Sequence, residues 1–192
     1  MTFLLNKLGT VKRFNGIDVQ QTRHFNHISC QTYIEKICKY HEWTNLQTHN
    51  VPTPMQSDPE YLAIIQLTQG PETLNDQQKL QKQMEFNYQQ AIGELIYAHT
   101  VCQVDISVAI ITLSQHSNNP AQIHYEAVKT LFAYLYATKE QGLTYWRPKP
   151  REDLPLRPNL TPISKYGQLE KFDNHWNALH LSRACDSTWG SD

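Results

Sequence analysis

The chain has 192 residues, 40% of them hydrophobic, which is enough for one ordinary domain or two small ones. A net charge of −1 excludes a strongly basic protein that coats nucleic acid through bulk charge. The charge is unevenly spread, at +4 over residues 1–40, −6 over 41–146 and +1 over 147–192, so the front of the chain either faces phosphates or is a solvated surface with uneven charge.

Phe3-Leu4-Leu5 is far too short for a signal core or a membrane span. Residues 14–28 read as two short strands, with Phe14, Ile17 and Val19 in the first and Phe25 and Ile28 in the second, around a polar turn from Gln20 to His24. Gly16 inside the first strand suggests a bulge or a close backbone approach. Ser29 stands at an N-cap position, and Tyr33, Ile34, Ile37, Cys38 and His41 follow at helical spacing, predicting a helix over about 30–42. Pro52, Pro54 and Pro59 mark residues 44–60 as an extended linker, and 75–85 as a short exposed helix.

The best-patterned apolar residues lie between 88 and 145. Ala91, Ile92, Leu95, Ile96 and the ring of Tyr97 give one helical stripe, with Gly93 expected to permit close packing. Asp105 is positioned to cap a second helix that buries Ile106, Ala109, Ile110 and Leu113. Asn119 at N-cap and Pro120 at N1 start a third, which places Ile123, Ala127, Leu131 and Leu135 on one face with Val128 and Phe132 beside them. Gly142 is expected as its C′ residue, before a strand at Leu143–Trp146. Residues 147–162 hold five prolines and read as a second linker, whose Arg147, Lys149, Arg151 and Arg157 either meet phosphate or keep the linker soluble. From about 178 a final strand begins, close enough to the terminus to suggest a chain cut mid-domain.

The four cysteines, Cys30, Cys38, Cys102 and Cys185, include no Cys-x-x-Cys pair. Reduced thiols and an intracellular location, cytoplasm and/or nucleus, are expected. His24 with His27, and His175 with His180, have no matching pair at zinc-ligand spacing. The residues alone give a soluble, mixed, helix-rich domain; the expected fold is α+β, with an N-terminal β-hairpin plus helix, a three-helix core and a C-terminal strand.

Four pieces in order carry a family resemblance. Phe14-Asn15-Gly16-Ile17-Asp18-Val19, then Ser29 to Ile37, then the segments from Tyr88 to Tyr145, and finally Ala184-Cys185-Asp186-Ser187-Thr188-Trp189 together resemble the carboxy-terminal part of copia-type retrotransposon reverse transcriptases, running into ribonuclease H. The resemblance implies the end of a palm and start of a thumb at 1–43, a linker with a short helix at 44–86, thumb and connection helices at 87–146, a Pro-rich linker at 147–177 and the first strand of a truncated ribonuclease H domain at 178–192.

The same resemblance implies reverse transcription: RNA-directed DNA polymerase and ribonuclease H activity, both built on two Mg²⁺ held by adjacent carboxylates. No Asp-Asp pair occurs in the chain, and the family's Tyr-x-Asp-Asp turn is expected upstream, with the fingers and most of the palm. Asp186 matches one ribonuclease H carboxylate, an orphaned metal ligand, so the chain by itself is expected to bind no Mg²⁺ and to be inactive. The implied partner is an RNA–DNA hybrid or DNA template–primer, held through Lys12, Arg13, Arg23, Lys36 and Lys39. Gln103-Val104-Asp105 departs from the family's Arg-Pro-Asp and loses a bidentate donor and a rigid helix start. The alternatives are a non-catalytic nucleic-acid-binding remnant and a relic with no function.

Overall fold

The computed structural model describes residues 10–45 and 51–154. Four antiparallel strands, β1 (Arg13–Phe14), β2 (Ile17–Gln21), β3 (Phe25–Ser29) and β4 (Gly142–Trp146), form one sheet in the order β1-β2-β3-β4. Six α-helices accompany it: α1 (Gln31–Tyr40), α2 (Pro59–Leu67), α3 (Leu74–Met84), α4 (Tyr88–Val101), α5 (Ser107–Ser114) and α6 (Gln122–Ala137). The fold is α+β, as expected.

The hairpin expected within 14–28 is present as β2 and β3, with Gln20 opposite His27 and Gln21 opposite Asn26. A second, unexpected hairpin precedes it. Asn15 (φ 49°) and Gly16 (φ 80°) both lie in the left-handed region, and Phe14 pairs with Ile17 across them. Positive φ at both central residues matches the right-handed strand twist, and Asn-Gly adopts it at low cost. Gly16 is therefore a turn residue and not a bulge. The turn is pinned from outside by the Tyr97 hydroxyl, which donates to the Asn15 carbonyl.

The core lies among α1, α4, α5 and α6. Its fully buried residues include Ile34, Leu95, Ile106, Leu113, Leu131, Phe132 and Leu135, and each side chain of this size contributes about 1.5–3 kcal/mol when removed from water. α6 is the central element: Ala127, Val128, Leu131, Phe132 and Leu135 are buried as expected, and so are Tyr125, Ala133 and Tyr134, while Ile123 is only partly buried. In α4 the stripe is Ala91, Ile92, Leu95 and Ala98, with Ile96 exposed. Gly93 faces open space and permits no close packing, because an added Cβ would meet nothing within 4 Å.

Several helix ends are capped by residues other than those expected. Ser29 ends β3, and Cys30 occupies the N-cap of α1 without a side-chain bond. Asp105 lies inside a 3₁₀ turn (Val104–Ile106) and accepts from Tyr134 Oη at 2.6 Å, tying α5 to α6. Asn119 and Pro120 precede α6, whose N-cap is Ala121. The ring of His124 accepts from the Ala121 N–H at 2.9 Å, and its other nitrogen meets the Ile65 carbonyl at 2.8 Å. Gly142 opens β4 opposite Ser29 and does not end α6, whose C-cap is Thr138. Glycine is needed there for space: a Cβ would stand 2.1 Å from the Ile28 carbonyl oxygen.

Part of the segment expected as linker is helical. Asp58 caps α2 with Pro59 in its first turn, and α3 occupies the stretch expected as a short helix. Beyond β4 the described chain folds back along the β2–β3 turn. The Arg147 and Arg151 amides donate to the His24 and Arg23 carbonyls at 2.7 and 3.0 Å, and Leu154 is buried.

A candidate nucleic-acid interface on the first helix

The first turn of α1 follows β3 directly, and its exposed N–H groups need acceptors. Asp18 on β2 supplies them. Its Oδ2 accepts from the Thr32 amide at 2.8 Å, and its Oδ1 accepts from Thr32 Oγ1 at 2.9 Å. The same Oδ1 meets Arg13 Nε at 2.9 Å, and Arg13 Nη2 donates to Thr32 Oγ1 at 2.7 Å. One carboxylate thus locks the β1–β2 hairpin to the start of the helix.

From Thr32 the outward stripe of α1 runs through Glu35, Lys36, Lys39 and Tyr40, at the spacing of one helical face. Lys36, Lys39 and Tyr40 are exposed. Glu35 is neutralised by Lys139 of the α6–β4 loop, 2.9 Å away, whose ammonium holds the Glu35 carboxyl below the usual range. Lys12, exposed beside Arg13, gives its carbonyl to the Val19 amide at 2.9 Å. Among the described residues Lys12, Lys36 and Lys39 form no ion pair, and Lys36 and Lys39 are the surplus positive charge of the α1 face.

Of the five expected contact residues, Lys36 and Lys39 share the exposed face of α1, and Lys12 and Arg13 lie at the hairpin that Asp18 ties to its first turn. Arg13 is there but engaged by Asp18, with its side chain 57% exposed. Arg23 is apart from the rest. It sits in the β2–β3 turn, at the far end of a hairpin whose five-residue strands span roughly 15 Å, and Nη1 pairs with Glu152 at 3.0 Å. The cations of the Pro-rich stretch are largely committed too. Arg147 donates to Asn26 and to the Thr22 carbonyl, and Arg151 pairs with Asp153. Asp186 and Arg157 lie outside the described residues.

On the inner side of the stripe, His41 Nε2 meets Glu94 Oε2 at 2.7 Å, with the two side chains only 6% and 17% exposed. The His41 ring stacks on Trp43 at 4.4 Å. Glu94 also accepts from Gln90 at 2.9 Å, and its backbone carbonyl accepts from Tyr33 Oη at 3.2 Å. This network fixes α1 against α4. The sequence shows neither it nor the Asp18 clamp, because the pairs that join separate elements, Asp18 with Thr32, Tyr33 with Glu94 and His41 with Glu94, are distant along the chain.

The site has no cradle for Mg²⁺: among the described residues no group of three or more His, Cys, Asp or Glu could hold a metal ion. Cys30, Cys38 and Cys102 are buried free thiols. No helix among the described residues is long and apolar enough to cross a membrane.

The buried amide of Gln103 donates to the carbonyls of Thr138 and Gln141 at 3.4 and 3.1 Å. Gln103 therefore holds the α6–β4 loop with a neutral donor at the position where the resemblance led to an arginine, and no charge is buried.

No family model matches the chain, and no solved structure does. Over 146 residues, 75% of the chain, it is 25% identical to the retrovirus-related Pol polyprotein from transposon TNT 1-94 of Nicotiana tabacum, covering 10% of that protein. Over 144 residues, 74% of the chain, it is 26% identical to a putative transposon Ty5-1 protein of Saccharomyces cerevisiae, covering 42% of it. A stretch of 60 residues, 31% of the chain, is 33% identical to secreted RxLR effector protein 161 of Plasmopara viticola, again covering 42% of that protein. The chain thus spans less than half the length of each of these relatives. The two similarities that run through three quarters of it support a transposon-related origin for the chain.

Proposed function

We propose that the chain serves as the thumb and connection part of a copia-type reverse transcriptase, holding an RNA–DNA hybrid or DNA template–primer without carrying out chemistry itself. The carrying observation is the α1 face, where Lys36, Lys39 and the neighbouring Lys12 are exposed without carboxylate partners among the described residues, in a chain distantly similar to retrotransposon polyproteins. Cations on a rigid helix meet backbone phosphates, and such contacts position a duplex without reading its sequence. Arg13 is a reserve contact, available when a phosphate displaces Asp18. Polymerase and nuclease turnover belong, in this reading, to parts of a polyprotein that carry the Mg²⁺ carboxylates, with Asp186 as one of them.

The test is the affinity of the full 192-residue chain for an RNA–DNA hybrid as salt is varied. Three phosphate contacts predict a slope of log K against log salt of roughly −2 to −3, a several-fold loss per doubling of salt. Lys36→Ala with Lys39→Ala reduces that slope by about two. Absent or salt-insensitive binding refutes the reading and leaves a relic without function. Mg²⁺-dependent primer extension by the purified chain refutes the non-catalytic part.

A further inference from the structure

We propose that the groove between α1 and α4 takes one unpaired nucleotide, with its base against Tyr40 and its phosphate on Lys36 or Lys39. This rests on the nucleic-acid reading above and deepens it by assigning a site to an unpaired nucleotide beside the duplex. The groove has a volume of about 390 Å³ and is lined by Tyr33, Lys36, Ile37, Tyr40, Gln90 and Glu94. It is an open surface groove and not an enclosed cavity, so an occupant keeps part of its surface in water.

Three features fit a nucleotide and not a plain phosphate track. First, Tyr40 is 68% exposed at the last position of α1. Its ring is backed edge-on at 5.1 Å by His41, which Trp43 and Glu94 hold in place. A phosphate contact gains nothing from an aromatic ring in water, whereas every base has a face to stack on it. Second, Lys36 lies one turn before Tyr40 on the same face and Lys39 is its immediate neighbour, so a cation flanks the stacking platform.

Third, the Gln90 carboxamide lines the groove with one N–H given to Glu94, leaving a second N–H and its oxygen for the edge of a base. The Glu94 carboxylate does not oppose this arrangement. Both of its oxygens are engaged, by Gln90 at 2.9 Å and His41 at 2.7 Å. Bases within a continuous duplex are stacked on each other and offer no free face, so the occupant is an unpaired nucleotide.

The experiment compares the full chain on a blunt RNA–DNA hybrid and on the same hybrid with a four-nucleotide overhang carrying 2-aminopurine. Stacking of one base predicts roughly tenfold tighter binding to the overhang, with quenched 2-aminopurine fluorescence. Tyr40→Ala abolishes both the preference and the quenching, Tyr40→Phe keeps them, and circular dichroism confirms that each variant is folded. Equal, salt-dependent binding to both hybrids overturns this proposal while the duplex-holding reading stands. Binding to neither overturns both.

Discussion

Asp18 is the point at which the hairpin, the first helix and the candidate interface meet, and its removal has a calculable cost. Asp18→Ala takes away the acceptor of the Thr32 amide and of the Thr32 hydroxyl, at 2.8 and 2.9 Å, from a carboxylate whose side chain is 18% exposed. Loss of a helix cap costs about 1 kcal/mol, and loss of a half-buried hydrogen bond to a charged group costs about as much again. The Arg13 ion pair adds less than about 0.5 kcal/mol, because Arg13 is mostly in water. The sum, about 2 kcal/mol, lowers the melting temperature by roughly 4–8 °C for a chain of this size.

Asp18→Asn keeps one acceptor for the Thr32 amide and is expected to lose about half as much. The control is Ser29→Ala, which leaves the cap untouched. Thermal melts and urea titrations of the three variants decide the matter. If Ser29→Ala costs as much as Asp18→Ala, or Asp18→Ala costs nothing, the capping assignment is wrong.

Three further outcomes follow from the same structure. Gly93→Ala, at an exposed mid-helix position where a Cβ meets nothing within 4 Å, is expected to stabilise the protein by up to about 1 kcal/mol, and a lowered urea midpoint would contradict this. Gly142→Ala forces a Cβ against the Ile28 carbonyl and is expected to cost about 3 kcal/mol, read as lost amide-exchange protection along β3 and β4; unchanged protection would contradict it. Burial holds His124 and the stacked His116 below the ordinary histidine range. Their folded pKa values lie under the unfolded value of about 6.5, so this stabilisation is complete above that pH and is lost as pH falls through the folded values. The urea midpoint should drop on acidification, and His124→Gln should weaken the drop to the share left to His116 and to His27, which is depressed in the same way. An unchanged pH response in His124→Gln would refute the assignment.

The helices that form the core were legible because their apolar residues recur with a helical period, as with Ala127, Leu131 and Leu135 in α6. The lysine stripe of α1 was legible for the same reason, read from its polar side. Part of what escaped the sequence depends on partners far along the chain. The caps of α1 and α6 come from Asp18 and from the ring of His124, so Ser29 and Asn119 only mimicked the local signal. Asn15-Gly16 carries a hairpin signal, masked because Phe14, Ile17 and Val19 around it also fit a single strand. Asp58-Pro59 had the form of a helix start, obscured by the neighbouring prolines. In the sequence Arg13 and Arg23 look the same as Lys36 and Lys39, and only the fold shows Asp18 and Glu152 beside them.

The claim that α1 carries the nucleic-acid contact is tested most directly by lysine acetylation footprinting of the full chain, free and bound to an RNA–DNA hybrid, read by mass spectrometry. Lys36, Lys39 and Lys12 are expected to be protected in the complex, while Lys79 and Lys82 on α3 react as before. Protection of the α3 lysines with Lys36 and Lys39 left reactive would contradict it.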